Sequence, residues 1–255
     1  TNKKFNSYPL NDHLSAPIVE ITNQGKNKYA NLMTKKIQNG YIYGNRYIFK
    51  DSLQRGFFHF VVDASQSKDF DSLRELAYSI QQRRLPNLGK LKLKDTLKGA
   101  FEYSTNNILK GELYIPKNSK VFLTYDFESA SSRLRQIKFD YKTKSRKINW
   151  GFNENELENI LDKARIQSKI LLNSLNFKEG FDYYIINKKI WNPYDVYHPA
   201  GILNSPNNES ILLPSLRFAS LQNLYCFSTA SLPAPGTANP TYSLLVLIDQ
   251  TLDKI

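Results

Sequence analysis

The sequence predicts a mixed α/β fold of the α+β kind, and three patterns in it point that way. Apolar runs bounded by turn residues recur at 17–22, 41–49, 56–64 and 120–127, as strands do. Two segments, 71–84 and 153–175, repeat their apolar residues at helical spacing instead. A short polar link joins the alternating runs 135–141 and 146–150 in the manner of a hairpin. The 255 residues, 41% hydrophobic and 23% charged, make an ordinary globular balance that suffices for one large domain or two small ones.

From Ala16 to Phe60 the chain reads as short strands: PIVEIT (17–22), YIYGNRYIF (41–49) with Asn39-Gly40 as a turn before it, then GFFHFVVDA (56–64). The helix over 71–84 places Leu73, Leu76, Ala77 and Ile80 on one face, with Asp71 as its cap. A weaker helix follows over 94–109, with Gly99 inside it. KVFLTYDF (120–127) is the next strand, and the hairpin closes through Lys142–Ser145. Asn153 and Glu156 form an Asn-x-x-Glu capping arrangement for the best helix of the chain. Its apolar stripe is Leu157, Ile160, Leu161, Ala164, Leu171 and Leu175. LYCFS (224–228) reads as a buried strand, and a last helix opens near Pro240.

The net charge of +12 admits an acidic partner, nucleic acid or an anionic membrane, but a Lys- and Asn-rich solvated surface is the favoured reading. Its densest region is Arg133, Arg135, Lys138, Lys142, Lys144, Arg146 and Lys147, on the hairpin. No nucleic-acid motif accompanies it, and no apolar run reaches the length of a membrane span. The expectation is therefore neither a nucleic-acid partner nor a membrane-spanning segment. Cys226 is the single cysteine, so no intrachain disulfide forms; this fits a reducing compartment, with the cytoplasm favoured. No cluster of His, Cys, Asp and Glu has the spacing of a zinc site, and no loop that of a calcium site, so no metal is expected.

Of the three histidines, His59 sits in an apolar strand, where a packed or surface-facing imidazole is the ordinary outcome, and His13 lies beside Asp12. His198, in VYHPAG (196–201), is held by Pro199 in extended geometry next to a Pro-Ala-Gly turn. Such a rigid imidazole suits general acid–base work, and equally a satisfied turn histidine. At the C-terminus Asn239 is a favoured cap and Pro240 suits the first helical position. The helix start at Pro240, Thr241 and Tyr242 presents free N–H groups and a positive dipole end to an anion. The body behind it, Leu244–Ile248, is apolar on every side and is expected to be covered by other elements, more than this chain supplies.

These segments, taken in order, resemble the C-terminal part of the glucose–methanol–choline flavoprotein oxidoreductases. The corresponding stretches are His198–Gly201, Asn223–Tyr225, Ala230–Pro233 and Ala238–Thr241. Residues 131–156 and PLNDHLS (9–15) are similar to two further stretches of that family, the second with a shortened spacing. Two departures, ILNSPN (202–207) after the His turn and FESAS (127–131), bear on subfamily and substrate. The resemblance implies oxidation of a small-molecule alcohol to a carbonyl, with hydride passing to FAD. It implies His198 and Asn239 as catalytic residues, Thr229, Ala230, Pro240 and Thr241 as cofactor-binding residues, and Tyr197 as a substrate-pocket residue. It implies three parts: 1–15 leaving an FAD-binding domain, 16–194 a substrate domain with an antiparallel sheet backed by helices, and 195–255 the end of a Rossmann-like FAD-binding domain. The Gly-x-Gly-x-x-Gly fingerprint is not in this sequence. The expectation is a C-terminal portion of a longer protein, or a subunit that pairs with a separate flavin-binding chain. A family fold used for lyase chemistry with structural FAD, and a flavin-free basic binding module, are the alternatives.

Overall fold

The computed structural model describes residues 7–9, 13–32, 36–38, 41–43, 46–50, 55–87, 89, 92–106, 114–128, 136–140, 144–149, 153–187, 194–195, 216–218, 220–221, 223–232 and 240–253. The fold is mixed α+β with antiparallel sheets, as the sequence predicts. The main sheet contains β2 (His13–Ile21), β5 (Tyr47–Lys50), β6 (Arg55–Asp63), β7 (Lys120–Glu128), β10 (Tyr183–Ile185) and β11 (Tyr194–Asp195). Its order is β10-β2-β7-β6-β5, and β11 shares the outer side of β2 with β10. Apart from it, β1 (Ser7–Pro9), β8 (Gln136–Asp140) and β9 (Ser145–Asn149) make a three-stranded sheet, and β3 (Lys36–Gln38) pairs with β4 (Tyr41–Tyr43). The last pair meets at Gln38 and Tyr41, which leaves Asn39-Gly40 as a two-residue link.

Period-two alternation decides which side of the sheet is dry. Leu14, Ala16, Val19 and Ile21 of β2, Val121, Leu123, Tyr125 and Phe127 of β7, and Phe58 and Phe60 of β6 enter one core. The alternation in β2 shifts phase at a bulge between Pro17 and Val19. Pro17 has no N–H to give to a ladder, so a bulge there is the expected accommodation. The shift turns Val19 and Ile21 inward and leaves Glu20 outward, 3.4 Å from Lys120.

Helix α4 (Glu154–Ser174) closes that core. Asn153 caps it as predicted, its Oδ1 accepting from the N–H groups of Asn155 (3.1 Å) and Glu156 (3.3 Å). Leu161, Ala164 and Leu172 are buried, and each leucine contributes roughly 1.5–3 kcal/mol. The helix ends in a Schellman motif: Asn176 takes the left-handed conformation (φ 62°), and Phe177 N–H donates to Leu172 O at 2.9 Å. Phe177 and Leu172, both buried, make the apolar contact that accompanies it.

Four expectations need correction. The region 16–60 is not all strand: α1 (Asn23–Leu32) follows β2 directly. Its start is held by Thr22, whose Oγ1 accepts from Gly25 N–H and donates to Phe181 O. A side chain at Gly25 would run into the carbonyl of Asp182 and into Ile21, so the helix seats its glycine against that loop. The run 41–49 is two strands, β4 and β5, rather than one. Helix α2 (Lys68–Gln81) starts with Ser67 at the cap position, and Asp71 in its first turn pairs with Arg74 at 2.8 Å. On α2 Ser72 and Ser79 are buried; of the predicted apolar face Leu73 and Leu76 are half-buried, while Ala77 and Ile80 are exposed. Finally, 224–228 is not a buried strand: among the described residues its bridge is Tyr225 to Arg217, and Leu224 and Phe227 are exposed.

Candidate active site

The C-terminal segment builds its geometry from short polar side chains. Ser228 Oγ accepts from Ala230 N–H at 3.2 Å and caps a 3-10 turn over Thr229–Ser231. Ser231 is buried under that turn and Leu232 beside it is buried too, while Thr229 and Ala230 are half-buried. This turn lies against α5 (Pro240–Leu252). Pro240 opens the helix, as its missing N–H and fixed φ suit. No acidic residue stands in the first turn, so nothing within it neutralises the positive end of the helix dipole. N–H donors of this kind suit an anionic group. Leu245, Val246 and Leu252 on the body of α5 are exposed.

On the main sheet a second polar group lies on the face opposite the core. Register puts Ser15 of β2 beside Asp126 of β7, and Asp126 beside Phe57 of β6. Asp126 is buried; its Oδ1 accepts from Ser15 Oγ at 2.5 Å, and its Oδ2 lies 3.2 Å from His59 Nδ1. The latter approach lacks hydrogen-bond alignment, so Asp126 acts on His59 through its charge and not through a hydrogen bond. Phe57 stacks at a tilt on His59 and carries the Arg46 guanidinium 4.7 Å from its ring centre. Burial pushes the His59 imidazole below its usual range; Asp126 opposes this and Arg46 reinforces it, with a net lowering. The imidazole is therefore neutral at pH 7 and able to accept a proton. Sequence reading passed over this group because its members are joined only by strand register. An aspartate amid the apolar residues of KVFLTYDF is the one local sign of it.

Of the residues singled out by sequence, Thr229 and Ala230 lie in the turn against α5, and Pro240 and Thr241 begin that helix, their side chains outside the described set. Tyr197, His198 and Asn239 lie outside the described residues. In sequence Tyr197 and His198 follow β11, where Tyr194 pairs with Ser15 and Asp195 with Leu14. His59 is half-buried against Asp126 rather than simply packed or surface-facing. Cys226 is half-buried, and burial pushes its thiol up. No metal-holding group of His, Cys, Asp and Glu occurs among the described residues, and none of their helices is long and apolar enough to cross a membrane.

No protein-family model, curated protein or solved structure matches this chain, so fold and site stand on its own residues.

Proposed function

We propose that this chain is the C-terminal part of an FAD-dependent oxidoreductase of the glucose–methanol–choline type, acting on an alcohol. The observation that carries the reading is the helix opening at Pro240, with no acidic residue in its first turn and the Thr229–Ser231 turn lying against the same helix. FAD, when bound, supplies the hydride acceptor. The first-turn N–H groups of α5 would favour its electron-rich edge through the helix dipole. Thr229 and Ala230 would line its phosphate or ribityl portion. His198 would accept the hydroxyl proton of the alcohol, or hold that hydroxyl in place, with Asn239 as the second polar contact. Tyr197 would line the substrate pocket. In this reading the main sheet belongs to the substrate domain, and the Gly-x-Gly-x-x-Gly segment comes from a preceding part of the protein or from a separate subunit.

The test is to express the chain joined to, or together with, its flavin-binding segment and to follow flavin absorbance as alcohols are added. Bound flavin that bleaches with an alcohol is expected. The His198→Ala, Asn239→Ala double variant is expected to keep its flavin and bleach at least about a hundredfold more slowly. Equal bleaching in that variant sinks the catalytic assignment, and a flavin-free protein sinks the cofactor assignment.

A second reading, a flavin-free module for an acidic partner, has one observation in its favour. Lys138, Lys144, Arg146 and Lys147 are all exposed on β8, β9 and their link. It predicts binding that weakens steeply with salt and is indifferent to His198.

A further inference from the structure

Helices α2 and α3 (Leu93–Ser104), with the link between them, form a unit that half-buries Phe70, Leu73 and Leu76 but leaves several other large apolar side chains in water. The side chains buried within it are small or polar: Ser72, Ser79 and Thr96, with Gly99. Leu85 is 90% exposed, Phe101 73%, Leu93 70%, Ile80 69% and Leu97 62%. Leu93, Leu97 and Phe101 follow at i, i+4 and i+8, so they form one stripe along α3. Scattered exposed leucines need no explanation, but a continuous set of this size on one unit does.

Charge says what the set faces. Between Arg83 and Lys98 the sequence holds six basic residues (Arg83, Arg84, Lys90, Lys92, Lys94, Lys98) against one acidic residue, Asp95. Of the four other carboxylates of the unit, Asp69, Asp71, Glu75 and Glu102, the last three are turned to partners. Glu75 accepts from Arg84 and from Asn87 N–H, Glu102 from the Tyr114 hydroxyl, and Asp71 from Arg74. Arg84 is taken up by Glu75, so what the unit presents is leucine and phenylalanine interleaved mainly with lysine. Lysine is depleted in the cores of protein interfaces, whereas at a bilayer its stem lies along apolar surface and its ammonium reaches the headgroups. The apolar residues also sit on two helices and their link rather than in one groove, which suits a fluid apolar layer better than a shaped partner.

We propose that the α2–link–α3 unit is a peripheral membrane anchor that lies in the surface of an anionic bilayer. Leu85, Leu93, Leu97 and Phe101 enter the acyl boundary, and Lys92, Lys94 and Lys98 meet anionic headgroups. This is attachment without a span, and it is independent of the flavin reading.

The test is co-sedimentation of the full chain with vesicles of phosphatidylcholine alone or containing about 30% phosphatidylserine, the anionic leaflet component. Binding to the anionic vesicles is expected to be about tenfold or more tighter, and to weaken as salt rises from about 0.1 to about 0.5 M. Leu85→Asn, Leu93→Asn, Leu97→Asn and Phe101→Asn in one chain should reduce binding about tenfold or more at low salt. Lys92→Gln, Lys94→Gln and Lys98→Gln together should remove most of the preference for phosphatidylserine. Lys144→Gln, Arg146→Gln and Lys147→Gln, on the separate β8–β9 hairpin, should leave that preference nearly intact. Circular dichroism checks each fold, and Phe101→Asn alone should still weaken binding measurably. The proposal is overturned if the unaltered chain binds neither vesicle, or if the apolar variant binds as before. It is also overturned if the β9 variant loses as much as the α3 variant. Loss of a dimer in sedimentation velocity, without lipid binding, would assign the face to a second copy and overturn it as well.

Discussion

At the scale of single residues, two buried polar groups show how neighbours decide what a side chain contributes. Asp182 is fully buried; burial alone would push its carboxyl up, but Lys28 Nζ at 2.6 Å and Lys178 N–H at 2.8 Å outweigh this and hold it low. His59 goes the other way, because burial wins over Asp126. The consequence for stability has a definite sign. The folded state binds a proton at His59 less readily than the unfolded chain, so stability falls as pH drops below the ordinary histidine value of about 6.5. Above that value the group is neutral in both states and contributes no slope. Urea midpoints of the unaltered chain should therefore decline more steeply below pH 6.5 than those of His59→Gln. Parallel pH profiles for the two would show that the imidazole is not desolvated. Neither arrangement was legible locally: Ser15 and Asp126 are 111 residues apart, and only register brings them together.

At the scale of elements, legibility followed how each element is held. The strands of the main sheet announced themselves because one face of each is dry, which imposes period two on the sequence. Helix α4 was legible for the same reason at period 3.6, and its cap could be read from Asn153. Helix α1 was not, because it is seated by Gly25 and pinned by Lys28 to Asp182 rather than by an apolar stripe. That seat is checkable: Gly25→Ala drives a methyl group into the Asp182 carbonyl and should destabilise the fold by roughly 2–4 kcal/mol in urea unfolding. A loss under about 0.5 kcal/mol would mean that the loop yields freely. Helix α2 was found, with Leu73 and Leu76 of its predicted face half-buried but Ala77 and Ile80 in water, since spacing reports a face and not what covers it. In 224–228 an apolar composition suggested burial that no neighbouring strand among the described residues supplies.

At the scale of the whole molecule, the sheet and α4 form a closed core, whereas α5 keeps Leu245, Val246 and Leu252 in water. If α5 belongs to a flavin-binding domain, Leu245→Asn with Leu252→Asn should leave urea unfolding of this chain within about 0.5 kcal/mol and lower flavin retention in the assembled enzyme. A larger loss in the chain alone would place those leucines in its own core. The sheet has a further property, in the time domain. Thr22, at the end of β2, is hydrogen-bonded to Phe181, 159 residues further along the chain. At roughly 5–20 residues per second, translation takes on the order of 10–30 s to deliver β10 and β11 after β2 has appeared. Throughout that interval the outer side of β2 has no partner strand, which makes the nascent chain a natural client for a chaperone that shields unpaired strand edges.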